Sequence, residues 1–151
     1  MLTSTPSPTK TQRHVADNPR PLRGILDTSV VIDLEKLEST QLPIEVAVTA
    51  ITMAELAAGP HSTSDPDERA RRQDRLQRAE AAFDPLPFDG EAARAYGRIY
   101  SAVVAAGRKA RGARAVDLLI AAIASSQAMP LYTRNPDDFR SIQDLIDIVA
   151  L

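Results

Sequence analysis

The sequence predicts an α/β fold, a parallel sheet covered by helices on both faces. Short apolar segments of strand character recur near 22–26, 45–48 and 130–133. Between them lie longer stretches whose apolar residues repeat at helical spacing. The two kinds of segment alternate along the chain, which is the pattern of strands joined by helical crossovers.

The folded part is expected to start at 22. Residues 1–21 hold Pro6, Pro8, Pro19 and Pro21 among Thr, Ser and charged residues, and read as a mobile tail. The first strand, 22–26, runs into Asp27. A helix follows, capped by Thr28 or Ser29, with Val30, Val31, Leu34 and Leu37 on one side, and Pro43 ends it. The second strand, 45–48, leads to Thr52-Met53-Ala54-Glu55, which has capping-box spacing, and that helix stops at Gly59-Pro60.

Residues 61–68 read as a loop and 69–83 as a charged helix with Leu76, Ala79 and Phe83 inward. Pro85-Leu86-Pro87-Phe88 is a strand or an extended link. Asp89 caps a helix whose buried stripe is Ala92, Tyr96, Ile99 and Val103, ending at Gly107. A basic loop at 108–114 leads into a very apolar helix over 115–128. After the strand at 130–133 comes a turn-rich loop, 134–139, and then a short helix or last strand at 146–149.

Composition excludes several chemistries. The 151 residues include no cysteine, so thiol nucleophiles and Cys-ligated metals are out. The two histidines, His14 in the tail and His61 after a turn, are poorly placed for a Ser-His-Asp triad. No phosphate-loop or dinucleotide fingerprint occurs. No apolar run reaches the roughly 20 residues of a membrane span, and nothing resembles a signal peptide, so the expectation is a cytoplasmic protein without membrane contact. Net charge is −2, yet 92–116 holds no acid and carries Arg94, Arg98, Arg108, Lys109, Arg111 and Arg114. Such a run serves either as a solvated face or as a phosphate contact.

Chemistry must therefore lean on carboxylates. Asp27, Glu55, Asp117 and Asp138 each have an ordinary explanation. Asp27 could be a turn residue or cap, Glu55 half of a capping box, Asp117 a charge in a first helical turn, and Asp138 (or Asp137) part of a turn after Asn135-Pro136. Taken jointly, all four fall at or beyond a strand's carboxyl end, or on a helix entering that edge. In a parallel sheet they point into one crevice. Two like charges 4 Å apart repel by about 4 kcal/mol at an effective dielectric of 20. Protons or divalent cations must balance them, and an oxygen-only donor set selects Mg²⁺ or Mn²⁺. The natural chemistry of such a site is metal-assisted phosphodiester hydrolysis.

Four blocks, "LDTSVVID", "TAITMAEL", "ARAVDLLIAAIASS" and "LYTRNPDDF", closely resemble the PIN-domain ribonucleases, in particular the VapC toxins of toxin–antitoxin pairs. The likeness spans about 22–151. It implies a PIN-like three-layer α/β/α sandwich on a parallel sheet of about five strands. It also implies an Mg²⁺- or Mn²⁺-dependent endoribonuclease acting on single-stranded or loop RNA, often tRNA or rRNA. Further implications are a homodimer and a VapB-type antitoxin seated in a groove near the site. By position, Asp27 and Asp117 match metal-binding aspartates and Glu55 the second acid. Thr28 or Ser29 matches the hydroxyl beside the first aspartate, and Thr133 that of the fourth block. Asn135 stands where many members carry Asp, which leaves Asp138, or Asp137, as fourth acid and leaves one-metal occupancy open. Arg108, Lys109, Arg111 and Arg114 would then grip RNA phosphates at the rim.

The alternative is a catalytically inactive PIN-like module that binds RNA or protein. A haloacid-dehalogenase-type phosphatase wants Asp-x-Asp where this chain has Asp27-Thr28-Ser29. A receiver domain needs a late lysine, and none follows Lys109.

Overall fold

The structure is a computed structural model that describes residues 20–151. The tail expected over 1–21, and His14 with it, lies outside the described residues except for Arg20 and Pro21. Those two are tied to the fold. Arg20 donates to the Leu42 and Ser39 carbonyls, and the Pro21 carbonyl accepts from Ile44 N–H.

Four strands, β1 (Arg23–Leu26), β2 (Glu45–Ala47), β3 (Leu131–Thr133) and β4 (Ile148–Ala150), form one sheet in the order β2-β1-β3-β4. Every pairing is parallel. The expected strand at 85–88 shrinks to a single bridge between Leu86 and Thr49. Pro85 and Pro87 flank Leu86 and have no N–H, so only Leu86 itself can donate to the ladder, to Val48 at 2.9 Å.

The helices are α1 (Thr28–Ile32), α2 (Ala50–Ala58), α3 (Pro66–Ala82), α4 (Gly90–Ala105) and α5 (Ala113–Gln127). Strand alternation sends neighbouring residues to opposite faces. Ile25 and Leu131 join the core built with α4 and α5, including Ile99, Val103, Leu118 and Ile123. Leu26 and Tyr132 join the opposite core with Val30, Val31, Leu56 and Ala79 from α1, α2 and α3. The result is the three-layer α/β/α sandwich.

Several boundaries differ from expectation, each for a local reason. The first helix does not run on through Leu37. It ends at Asp33, and 3-10 turns cover Leu34–Lys36 and Ser39–Gln41. The second helix starts at Ala50, because Thr49 caps it by accepting from Thr52 N–H at 3.1 Å. The third starts at Pro66 behind an Asp65 cap. The loop after β3 is largely a 3-10 segment, Pro136–Ile142, which packs Phe139 and Ile142 into the core. The last segment resolves as β4, so the short-helix option falls.

All four strands end at the same edge. β1 has β2 on one side and β3 on the other, so successive crossovers leave it in opposite directions. That switch point is where open parallel sheets form a crevice.

Candidate active site

Asp27 leaves β1 at the switch point and is 4% exposed. Its backbone N–H donates to the Tyr132 carbonyl of β3 at 2.9 Å, which fixes it against the neighbouring strand. Oδ1 accepts from Thr28 N–H at 2.9 Å, so Asp27 does cap α1. Oδ2 accepts from the hydroxyls of Ser29 and Thr133, both at 2.9 Å. Capping and site function thus coincide in one carboxylate. Burial holds its pKa above the ordinary value. The hydrogen bonds from Ser29, Thr133 and Thr28 work the other way, and the charge of Asp138 adds to the rise.

The supporting hydroxyls are themselves held. Ser29 Oγ accepts from Arg134 N–H at 3.2 Å, and Thr133 Oγ1 accepts from Asn135 N–H at 3.0 Å. Asn135 therefore enters through its backbone. Its side chain makes no cap hydrogen bond.

Glu55 is not half of a capping box. Thr49 takes the cap, which places Glu55 inside α2 and frees its side chain to face the cleft. The Thr28 hydroxyl donates to Glu55 Oε1 at 2.6 Å. Thr28 Oγ1 also lies 3.0 Å from Thr52 Oγ1, and Thr49 donates to Thr52 at 3.4 Å. A hydroxyl carries one hydrogen. With Thr28 donating to the carboxylate, Thr52 must donate to Thr28, so the three threonines form a chain aimed at Glu55. Thr49 and Thr52 are fully buried. The sequence reading took Thr52 for the cap and passed over Thr49. Their signal was the Thr-x-x-Thr spacing just before the acid. Loss of water around Glu55 raises its pKa, the Thr28 bond lowers it, and the nearby Asp27 charge raises it again.

Asp117 does not sit in a first turn. α5 begins at Ala113, so Asp117 lies one turn further in, past the strongest part of the helix dipole. Its pKa rises to about 7. Burial is the main cause, followed by the charges of Asp27, Asp138 and Glu55, with Arg114 opposing. The charges of Asp27, Asp138 and Glu55 thus lie near enough to bear on Asp117. Asp137 separates from Asp138 here. Asp137 turns outward to Arg140 at 2.6 Å, whereas the charge of Asp138 bears on both Asp27 and Asp117.

The basic run divides. Arg108 is spent on the Asp137 carbonyl at 2.9 Å and braces the turn that carries Asp138. Arg114 lies near enough to Asp117 to oppose its rise. Lys109 and Arg111 are exposed on the loop.

Among the described residues, no three Asp, Glu or His side chains close tightly enough to make a finished metal cage. The donor chemistry still fits a hard cation. Burial and its neighbours' charges, with no hydrogen bond among the causes, push the Asp117 carboxyl toward neutrality, and a divalent ion relieves both. Asp27 Oδ1 accepts one N–H and keeps a lone pair for a ligand.

Comparison with known proteins identifies the family. The PIN domain family model matches residues 25–145. The chain is 38% identical over 125 residues to Ribonuclease VapC5 of Mycobacterium tuberculosis, covering 81% of this chain and 89% of the relative. It is 30% identical over 126 residues to Ribonuclease VapC of Rickettsia bellii, covering 80% and 91%. Its fold matches the crystal structure of VapBC-5 of Mycobacterium tuberculosis, a member of the VapBC family of toxin–antitoxin systems, with a TM-score of 0.77 and 36% identity, covering 87% of this chain and 100% of that one.

Proposed function

The chain belongs to the PIN domain family, and from that premise we propose that it is the toxic endoribonuclease of a toxin–antitoxin pair, silenced by a VapB-type antitoxin. The observation that carries the reading is the clustering of acids about the β1–β3 switch point, where the charges of Asp27, Asp138 and Glu55 all bear on Asp117.

We assign Mg²⁺ or Mn²⁺ as the cofactor, held by Asp27 and Asp117 with Asp138 beside them. When bound, the ion supplies the positive charge that activates water and offsets charge on the phosphate. The chain's own residues do the rest. Ser29, Thr133 and the Thr28 N–H favour the charged form of Asp27 and hold it in one orientation. Thr28 occupies Oε1 of Glu55 and leaves Oε2 open to the cleft, where it accepts the proton of the attacking water. Arg114, Lys109 and Arg111 sit at the start of α5 and its preceding loop, and contact RNA phosphates. Exposed Tyr100 and Val104 on α4 give a homodimer an apolar surface. No described helix is long and apolar enough to cross a membrane.

The second reading is a PIN-like module that binds without cutting. One experiment separates the two. Wild type, Asp27→Ala and Asp117→Asn are expressed by induction. The nuclease reading expects growth arrest and RNA cleavage for wild type alone, with cleavage abolished by EDTA and restored by Mg²⁺ or Mn²⁺. Equal toxicity from all three contradicts it.

A further inference from the structure

The arginines of α3 are not equivalent. Arg71 and Arg72 both pair with Glu68, at 2.8 and 3.0 Å, and Arg72 also donates to the Gly59 carbonyl. Arg78 pairs with Asp74 at 3.0 Å and with Glu35. Arg75 stands between them, half-buried, and has no acidic partner among the described residues. A guanidinium in that position calls for an anion.

Its surroundings indicate which anion. Arg75 lines a cavity of about 350 Å³ together with Thr28, Ile32, Glu55, Leu56, Glu68 and Arg72, and Glu68 there is already paired with Arg71 and Arg72. That size suits a small-molecule unit. The cavity therefore shares its lining with the acid cleft. Arg75 does not answer Glu55, whose carboxyl is set by burial, Thr28 and Asp27. Arg72 is already committed. Arg75 is thus the one unspent cation of this lining, with Ile32 and Leu56 supplying apolar surface beside it.

We propose that Arg75 marks a nucleotide subsite, binding a backbone phosphate of the RNA that flanks the phosphodiester over the acids, while Ile32 and Leu56 seat the attached sugar or base. A strand laid across the acids must continue past them, and its next phosphate needs a positive partner. Arg114 lies by Asp117 and Arg75 shares its cavity with Glu55, which gives each of those two acids a cation in its neighbourhood. The subsite rests on the nuclease reading and adds a specificity element on the α3 side.

The test is binding of a fluorescein-labelled single-stranded oligouridylate in Mg²⁺, read by anisotropy against KCl concentration. The full chain carries Asp27→Asn, so that binding is read without cleavage. Adding Arg75→Gln should weaken binding about five- to tenfold and flatten the logarithmic salt slope by about 0.7, the value for one phosphate contact on a single strand. Arg75→Lys should keep the slope and lose part of the affinity. Arg71→Gln, exposed and paired with Glu68, should change little. Unaltered affinity and slope for Arg75→Gln, with a melting temperature that shows it folded, overturn the subsite. So does a variant that keeps RNA but no longer co-purifies with its antitoxin, because the cation then serves a protein acid. A parent chain that binds no RNA at all defeats the nuclease reading itself, and the subsite with it.

Discussion

The hydroxyl of Thr28 lies 2.6 Å from Glu55 Oε1, joining the first residue of α1 to the middle of α2 across 27 positions of sequence. Thr28 in turn receives the hydrogen of buried Thr52. Thr52→Val keeps the shape of the side chain and removes that donor. The expected result is a kcat lowered about tenfold with KM unchanged, because Glu55 loses its fixed orientation. Thr52→Ser should restore most of it. Stability should fall by about 1 kcal/mol in Thr52→Val, where a buried hydrogen bond is lost. Equal kcat for all three proteins would show that Thr52 only fills space.

Asp27 offers a separation of charge from shape. Asp27→Asn keeps an acceptor for Thr28 N–H and relieves a buried charge. It should abolish cleavage while leaving the unfolding free energy in urea within about 0.5 kcal/mol of wild type. Asp27→Ala should cost about 2–3 kcal/mol, since it removes the cap of α1 and strands the hydroxyls of Ser29 and Thr133. Chemical denaturation with EDTA present measures both.

Asp117 makes stability depend on pH in a defined direction. Its pKa is raised from 3.8 to about 7 in the folded chain. Between those values the folded chain holds a proton that the unfolded chain has shed. Stability is therefore greatest below the window and falls as pH climbs through it. Solvent reaches the group, so the screened effect is about 1–2 kcal/mol. In EDTA, melting temperature should drop from pH 5 to pH 8, and Asp117→Asn should flatten that drop. Mg²⁺ should raise the wild-type value at pH 8 more than the variant's.

Gly24 lies against Tyr132. A Cβ at this position would come within 2.6 Å of the Tyr132 ring and 3.0 Å of Pro43. Gly24→Ala should destabilise the chain by about 1–3 kcal/mol, measured as a lower urea midpoint with an unchanged slope.

Much of this was legible in the sequence, and the exceptions share a cause. The parallel sheet with helices on both faces followed from the alternation of strands and helices, and Ile25 and Leu26 do face opposite cores. Asp27 taken singly read as a turn residue or cap, and only its placement together with Glu55, Asp117 and Asp138 pointed to a site. Glu55 read ambiguously. Thr52 and Glu55 have capping-box spacing, and only tertiary structure shows the helix starting one residue after Thr49 instead. The choice between Asp137 and Asp138 was invisible for the same reason. Adjacent residues in a 3-10 turn point apart, and Arg140 claims one of them. Arg75 was lost among the charges of α3, since pairing with Glu68 or Asp74 is decided by rotamer and turn, not by composition.

The central claim is that acids remote in sequence share one divalent ion. Isothermal titration of Mn²⁺ into the wild-type chain, Asp27→Asn and Asp117→Asn at pH 8 tests it most directly. The account predicts a saturable site in wild type whose affinity falls at least tenfold in each variant. Identical Mn²⁺ isotherms for the three proteins would contradict it.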